Sequence, residues 1–393
     1  MLLIDARTLG PQPTGIGRYT RNLLRGLAED QRPDGLPRPR VWVRPDTQLD
    51  DAVRDGDRLE LVERPGRPTS LDHALAGHAA MRRDGARLVH TPDAFAPLAL
   101  GHRRPRHLIT LHDVIPLALP DALPRSRKQR MFPLWRGWLR RQTRQAAGVV
   151  CVSEHARRDI IRHLRVDPDK LHVIPNGLPP TPPPPPPPPE SDEDRGAGAL
   201  RGLGIRPGEP LLLTVGRRDP YKNVAGLVHA FARLRAAWPR DAAGPPPRLV
   251  VAGPSDPRYP EPERAAHQHG LGDAVVFTGY VDDATLRALR RRAAGFVTPS
   301  RYEGFGLPAV EAMRDGLPVV CGGGGALPEV VGDAALVCDV DDPAALAEAL
   351  RRVLLEPGLA AQLREQGRRR AERFTLRKMA DAHLALYARL YPA

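Results

Sequence analysis

The feature that most constrains the fold is a run of eight consecutive prolines, Pro182–Pro189, near the middle of the chain. Proline has no amide hydrogen to donate and favours extended polyproline II backbone, so such a run cannot join a packed core. An acidic stretch, Glu190–Asp194, follows it directly. The sequence therefore predicts two folded domains, residues 1–178 and 210–373, separated by a linker or exposed loop over residues 179–209, with a final segment at 374–393.

Short apolar runs alternate with amphipathic helical stretches in both domains. In one such stretch, Val224, Leu227, Val228, Phe231 and Leu234 recur at helical spacing. This alternation predicts an α/β protein with two doubly wound parallel sheets. The predicted strands are Leu2–Asp5, Val41–Arg44, Leu88–His90, Leu108–His112, Val149–Ser153 and Val173–Ile174 in the first domain, and Leu211–Val215, Leu249–Ala252, Val275–Thr278, Phe296–Thr298, Pro318–Cys321 and Leu336–Cys338 in the second.

The composition narrows the classes of protein to which the chain can belong. The formal net charge of +13 comes almost entirely from arginine, because only Lys128, Lys170, Lys222 and Lys378 are lysine. Arginine suits phosphate, nucleic acid or anionic lipid, although coding-sequence composition can also enrich it. The 3 cysteines are too few and too scattered for a disulfide framework or a zinc site. We find neither a signal peptide nor an apolar run of bilayer length, so the predicted location is the cytoplasm.

Two carboxylates bracket a glycine-bearing turn in the second domain. Glu303 and Glu311 lie on either side of Gly304–Leu307, after the predicted strand Phe296–Thr298 and at the start of a predicted helix. Free backbone N–H groups and the helix dipole at such a turn suit negatively charged oxygens, and the carboxylates can accept hydrogen bonds from sugar hydroxyls. A nucleotide-sugar requires both kinds of contact.

A basic loop follows the first strand of the same domain. Arg217 and Lys222 lie five residues apart within Gly216–Asn223. A guanidinium and an ammonium on one tight loop can bind a single diphosphate. Lys222 is one of only four lysines in an arginine-rich chain, which indicates a selected role.

The spacing from Glu303 to Glu311, with Gly304, Phe305, Gly306 and Leu307 between them, resembles the signature of retaining glycosyltransferases of the GT-B fold. The resemblance implies two Rossmann-like domains facing across a cleft, with the last helix crossing back to the first domain. It also implies a role for each site residue: Glu303 faces the donor sugar, Glu311 binds the nucleotide ribose, Arg217 and Lys222 hold the diphosphate, and Tyr280 and Val281 contact the base through their backbone.

The first domain supplies further candidates at the ends of its predicted strands. Gly15 and Gly17, which are predicted to bind the donor, follow the first strand, and Thr14 is placed to cap the next helix. His112 and Asp113 end the predicted fourth strand, where several branches of the family carry an active-site histidine. His112 is therefore a catalytic candidate together with Glu303, Arg217 and Lys222, and Asp113 and His90 are acceptor-side candidates, although a structural histidine is the commoner outcome for any one position.

The predicted activity is transfer of a hexose, mannose from GDP-mannose, to a glycan, glycolipid or lipid-linked acceptor with retention of configuration. No metal and no cofactor are expected, since Arg217, Lys222 and the helix start near Gly304–Gly306 can stabilise the departing diphosphate. A UDP-sugar donor (glucose or N-acetylglucosamine) and a non-catalytic nucleotide-sugar sensor are the alternatives. Nucleic-acid binding is disfavoured by an aromatic content of 5% and by charge spread over both halves.

A basic segment with tryptophans raises the question of membrane contact. Arg127–Arg144 interleaves arginines with apolar residues that include Trp135 and Trp138. This pattern fits a helix lying on an anionic leaflet, which would place the protein peripherally on the inner face of the membrane. It equally fits a helix docked on a sheet with its arginines outward.

Overall fold

A computed structural model of the protein describes residues 1–10, 14–29, 33–66, 71–94, 105–122, 132–180, 198, 200–206, 208–242 and 244–392. The chain divides into two compact units. Unit 1 comprises Met1–Leu119, Arg127–Pro180 and Phe374–Ala393, and unit 2 comprises Pro120–Ser126 and Thr181–Arg373. The proline run predicted as a linker lies outside the described residues.

Strands and helices alternate along both units. The strands are β1 (Leu2–Asp5), β2 (Arg40–Val43), β3 (Glu60–Glu63), β4 (Leu88–Thr91), β5 (Arg106–Leu111), β6 (Gly148–Cys151), β7 (Leu171–Val173), β8 (Leu211–Val215), β9 (Arg248–Ala252), β10 (Val275–Gly279), β11 (Gly295–Thr298), β12 (Val319–Gly322) and β13 (Leu336–Cys338). The helices are α1 (Gly15–Glu29), α2 (Asp51–Arg54), α3 (Leu71–Arg83), α4 (Ile115–Ala118), α5 (Phe132–Gln145), α6 (Glu154–Leu164), α7 (Val224–Ala236), α8 (Glu261–Gln268), α9 (Asp283–Arg292), α10 (Leu307–Arg314), α11 (Leu327–Val331), α12 (Pro343–Leu355), α13 (Pro357–Ala371) and α14 (Leu376–Leu390). Short 3₁₀ turns lie at Pro120–Ala122, Pro168–Lys170, Pro220–Lys222 and Gly272–Ala274.

Each unit contains one parallel sheet with a Rossmann-like strand order. Unit 1 has the order β3-β2-β1-β4-β5-β6-β7, and unit 2 has the order β10-β9-β8-β11-β12-β13. The predicted α/β fold with two doubly wound sheets is therefore confirmed. In such sheets, ligands bind beyond the carboxyl ends of the strands, where the strand order reverses. That point lies between β1 and β4 in unit 1 and between β8 and β11 in unit 2.

The strand β3 is absent from the predicted set. Its four residues, Glu60-Leu61-Val62-Glu63, have a charge at each end, and β3 forms an edge of the unit 1 sheet, where only β2 pairs with it. The short apolar core of such an edge strand gives little periodic signal. His112 consequently follows the fifth strand of the chain, whereas the sequence had predicted it at the end of the fourth strand.

The last helix, α14, belongs to unit 1 and packs on α1. The contact is close, because a Cβ at Gly26 would lie 2.8 Å from the carbonyl oxygen of Leu376. Two fully buried side chains of α14 hydrogen bond inside the unit: Tyr387 Oη lies 2.6 Å from His90 Nδ1, and His383 Nε2 lies 2.9 Å from Tyr19 Oη. The final helix thus completes the interior of the first unit.

Candidate functional site

The loop after β8 presents Lys222 from a rigid turn. Residues Pro220–Lys222 form a 3₁₀ turn, and Asn223 adopts a left-handed backbone with a φ of 52°. Asparagine tolerates this conformation better than most residues. Its side chain donates to the carbonyl oxygen of Val340 at 2.7 Å, which fixes the end of the turn. Helix α7 then begins at Val224.

The loop after β11 places the Glu303 side chain beside Lys222. Lys222 Nζ donates to Glu303 Oε1 at 2.6 Å, and Ser300 Oγ donates to the same oxygen at 2.7 Å. Because β8 and β11 are neighbours in the sheet, both loops leave from the point where the strand order reverses. A pocket between them is lined by Thr214, Gly216, Arg217, Lys222, Ser300 and Glu303, among others. The structure therefore brings a cation and a carboxylate together at the expected ligand-binding edge.

Residue Arg301 ties these two loops to each other. Its backbone amide donates to the carbonyl oxygen of Tyr221 at 2.8 Å, and its guanidinium donates to that of Pro220 at 3.1 Å. The guanidinium also pairs with Asp341 at 2.5 Å. The relative position of Lys222 and Glu303 is thus held by backbone contacts as well as by their own ion pair.

The glycine segment, which contains Gly324 and Gly325, packs directly against the backbone of the Glu303 loop. A Cβ at Gly324 would lie 1.9 Å from the carbonyl oxygen of Arg301, and one at Gly325 would lie 2.4 Å from that of Glu303. The amide of Ala326 donates to the Glu303 carbonyl at 2.8 Å. Only glycine permits such an approach of two backbones.

The second member of the predicted basic pair, Arg217, engages a different carboxylate. Its guanidinium binds Asp219 through two hydrogen bonds, Nε to Oδ2 at 2.9 Å and Nη2 to Oδ1 at 3.2 Å, while 61% of its side chain is exposed. Burial alone would lower the pKa of Arg217, but the hydrogen bonds to Asp219 raise it, so the side chain is cationic. Arg217 lines the pocket, yet its guanidinium is not part of the Lys222–Glu303 contact.

The remaining residues that were predicted to bind the nucleotide-sugar donor differ in whether their side chains are exposed. The side chains of Phe305 and Leu307 are buried, so they can offer a ligand only backbone groups, and Gly306 has a φ of 95° at the start of α10. Gly304 lies buried beside them. Tyr280 and Val281 follow β10, and Tyr280 is 50% exposed. Glu311 is buried on α10, where it forms an ion pair with Arg290.

Within unit 1, the predicted first glycine loop opens helix α1. The amide of Gly17 donates to Thr14 Oγ1 at 3.0 Å, so Thr14 caps the helix as predicted. Gly15 is exposed, and a Cβ there would meet no atom within 4 Å. Its surroundings leave room for a ligand but do not themselves require glycine.

The residues His112 and Asp113 lie in the loop after β5. His112 Nε2 donates to the carbonyl oxygen of Pro92 at 2.9 Å, and its ring meets the ring of Tyr19 edge-on with 4.6 Å between centroids. Burial lowers the pKa of His112, against the opposing effects of the Pro92 carbonyl and of Asp113, so the neutral ring is favoured. Asp113 Oδ1 accepts a hydrogen bond at 3.1 Å from the amide of Ile115, the first residue of α4.

The acceptor-side candidate His90 is fully buried. Its Nδ1 is hydrogen bonded to Tyr387 Oη at 2.6 Å and its Nε2 to Thr110 Oγ1 at 2.9 Å. Burial lowers the pKa of His90 well below its usual range, so the ring is neutral. Both nitrogens are engaged inside unit 1, which favours a structural role over the predicted contact with an acceptor.

Two functional candidates were missed at the level of sequence, Ser300 and Arg290. Ser300 precedes Glu303 by three residues, a Ser-x-x-Glu spacing that is typical of mutually bonded side chains at helix starts. That spacing could have indicated the pair. Arg290 gives no such signal, because it stands in the run Arg290-Arg291-Arg292.

Among the described residues, no three or more His, Cys, Asp or Glu side chains lie together as metal ligands would.

Two doubly wound units, with a cation and a carboxylate at the switch point of the second, form the architecture of GT-B glycosyltransferases. The Anabaena protein HepE, solved in complex with UDP and glucose, shares this fold with a TM-score of 0.71 at 17% identity, and the alignment covers 99% of both chains. Residues 200–370 match the family model described as Glycosyl transferases group 1, and residues 13–181 match that described as Glycosyltransferase Family 4. The chain belongs to the group 1 glycosyltransferases, with a Family 4 N-terminal domain, and is therefore a transferase.

Two relatives of known activity are similar over long stretches. O-antigen chain mannosyltransferase B of Escherichia coli is 28% identical over 390 residues, which cover 92% of this chain and 92% of that protein. MMP alpha-(1→4)-mannosyltransferase of Mycolicibacterium hassiacum is 34% identical over 269 residues, which cover 65% of this chain and 58% of that protein. Similarity to mannosyltransferases thus extends through both units.

Proposed function

We propose that this chain transfers mannose from GDP-mannose to a glycan, glycolipid or lipid-linked acceptor with retention of configuration. The observation that carries the proposal is the 2.6 Å contact between Lys222 Nζ and Glu303 Oε1 at the switch point of unit 2. A donor of this class has a diphosphate directly joined to a sugar ring. A neighbouring ammonium and carboxylate offer a cation to the diphosphate and a hydrogen-bond acceptor to the sugar hydroxyls.

Each site residue has a defined part in the proposed reaction. Lys222, Arg217 and the N-terminal end of α10 stabilise the negative charge that develops on the departing diphosphate. Glu303 accepts hydrogen bonds from donor sugar hydroxyls, and Glu311 accepts them from the ribose. The acceptor hydroxyl attacks from the face that the diphosphate leaves, and the departing phosphate oxygen takes its proton. Within unit 1, His112 is the catalytic candidate, and its ring or its carbonyl oxygen is the group that it would offer to a sugar.

The donor is the part of the proposal that a binding experiment addresses first. Two mannosyltransferases among the relatives support GDP-mannose, whereas the HepE complex supports the alternative of a UDP-sugar. We expect isothermal titration to give a lower Kd for GDP than for UDP or ADP. We also expect slow hydrolysis of GDP-mannose without acceptor, faster than that of UDP-glucose or UDP-N-acetylglucosamine. Preferential binding of UDP would refute the mannose assignment, and binding without any hydrolysis or transfer would favour a sensor.

Metal independence is a separate part of the proposal. Lys222 and Arg217 supply positive charge within one loop, which is the charge that a divalent cation supplies in metal-dependent transferases. We therefore expect the rate of transfer to be the same, within experimental error, in excess EDTA and in millimolar Mg²⁺. Loss of activity under chelator that returns with Mg²⁺ or Mn²⁺ would contradict this prediction.

We further propose a cytoplasmic location with peripheral contact to an anionic leaflet through α5. Trp135, Trp138 and Leu139 of this helix pack on the core of unit 1, while Leu134 is 70% exposed and shares the outward face with Arg141 and Arg144. One exposed apolar residue among arginines is a minimal interfacial anchor. No described helix combines the length and the apolar character that a bilayer span requires.

Flotation with vesicles tests this contact. We expect the protein to rise with phosphatidylglycerol vesicles at low salt and to be released at moderate salt, since the attraction is mostly electrostatic. Leu134→Glu should weaken flotation, while neutral vesicles should bind neither protein. Absence of binding to anionic vesicles at both salt concentrations would refute the proposed membrane contact.

A further inference from the structure

Helix α9 contains four arginines, only one of which is buried. Arg290 is 5% exposed, whereas Arg287 and Arg291 are exposed and Arg292 is intermediate. Exposed arginines are ordinary in a chain with this composition. A buried guanidinium has lost most of its hydration, so it needs close anionic partners.

The partner of Arg290 is Glu311. Arg290 Nη2 forms an ion pair with Glu311 Oε2, and Nη1 lies 3.5 Å from Asp315 Oδ2. Glu311 is flanked in α10 by four buried apolar residues: Ala309, Val310, Ala312 and Met313. In such surroundings a carboxylate has lost most of its hydration and needs a close polar partner. The guanidinium supplies that partner and holds the carboxylate side chain in one orientation.

Stability alone is a poor explanation for this pair. The desolvation of two charges largely cancels their attraction, and apolar residues of similar size are often as stable or more so. Glu311, moreover, lies on the helix that begins directly after the Glu303 loop. A charged carboxylate that is held in one orientation near a ligand site is suited to accept hydrogen bonds from hydroxyl groups.

We propose that Arg290 is a positioning residue that orients Glu311 toward the ribose hydroxyls of the donor nucleotide, and that it thereby sets selectivity for ribonucleotides over deoxyribonucleotides. This inference rests on the proposed function, in which Glu311 binds the ribose. Each carboxylate oxygen has two lone pairs, so Oε2 can accept from Arg290 and from a hydroxyl together. Arg290 itself has no need to touch the ligand.

Titration of the full-length protein with GDP, 2′-deoxy-GDP and 3′-deoxy-GDP tests the proposal, with the UDP series in parallel. We expect the original protein to prefer the ribonucleotide over at least one deoxy analogue by about 10-fold or more, as for hydrogen bonds to a charged group. Arg290→Met and Glu311→Gln should both reduce this preference to about twofold or less, with little change in the affinity for that deoxy analogue. Arg290→Lys should be intermediate, because an ammonium lacks the planar fork.

The exposed neighbour provides the matched control: Arg291→Met should keep the full preference. The double variant Arg290→Met with Glu311→Gln leaves no unpaired buried charge, so it remains testable if Arg290→Met unfolds; it should behave as Glu311→Gln does. Retention of the preference in Arg290→Met or Arg290→Lys, with its loss in Glu311→Gln, would overturn the role of Arg290. An equal loss of affinity for all analogues would do the same, since that is a purely structural effect. If neither the original protein nor Glu311→Gln discriminates between ribonucleotides and deoxyribonucleotides, the ribose role of Glu311 is refuted. The inference about Arg290 is then refuted as well.

Discussion

Lys222→Met is expected to lower kcat for the proposed glycosyl transfer by about 10²–10³-fold, the usual effect of removing one charge-assisted contact to a developing anion. Methionine keeps the length and the apolar stem of lysine but not its charge. The loss should appear in kcat and in kcat/KM alike, because the diphosphate carries more negative charge in the transition state than in the bound donor. Steady-state kinetics with saturating acceptor will measure both constants.

The chain contains a matched control for this variant. Lys378 is an exposed lysine in the first turn of α14, in unit 1, and Lys378→Met should leave both constants within about twofold of the original, as expected of a surface substitution. Thermal unfolding will show whether Lys222→Met is folded, since the substitution leaves Glu303 with the Ser300 hydroxyl as a remaining donor. A folded Lys222→Met protein with kcat close to the original value would refute the assigned role.

The second large effect is expected from Gly324→Ala, which should lower stability by about 1–3 kcal/mol. The added Cβ would lie 1.9 Å from the carbonyl oxygen of Arg301, so the loop that carries Ser300 and Glu303 has to move. A displacement of about 1 Å at a catalytic group can cost about 10²-fold in rate. Urea unfolding will measure the first effect, and kcat/KM the second.

The adjacent residue separates this close approach from a general effect of alanine in the glycine segment. A Cβ at Gly323 would find its nearest neighbour, Val337 Cγ1, at 3.7 Å, which is ordinary van der Waals contact. Gly323→Ala should therefore be nearly neutral in both measurements. Equal effects of the two substitutions would show that the glycine segment does not support the Glu303 loop.

Much of the fold could be predicted because parallel strands buried on both faces have a clear sequence pattern. Apolar runs such as Leu211–Val215 stand out between helical stretches, and their alternation with helices indicates parallel sheets. Edge strands are harder, as β3 shows, since one of their sides has no partner and charged residues are tolerated there. Several strand ends also shifted by one or two residues; β7, for example, is Leu171–Val173 in place of the predicted Val173–Ile174.

The site was less accessible to sequence reasoning than the fold. Lys222 and Glu303 are 81 positions apart, and only the neighbouring places of β8 and β11 in the sheet bring them together. Sequence indicated which loops matter, through their position after strands and through a family resemblance. It could not show that Arg217 binds Asp219, because that depends on a choice of rotamer on a half-exposed side chain.

The membership of α14 in unit 1 has a consequence for synthesis on the ribosome. A growing chain that has reached Arg373 already contains every residue of unit 2, yet Tyr19 and His90 still lack the helix that will cover them. Domains usually complete themselves in the order in which they are translated. Here the order is reversed, because the domain made first must wait, unfinished, while the whole of the second is made.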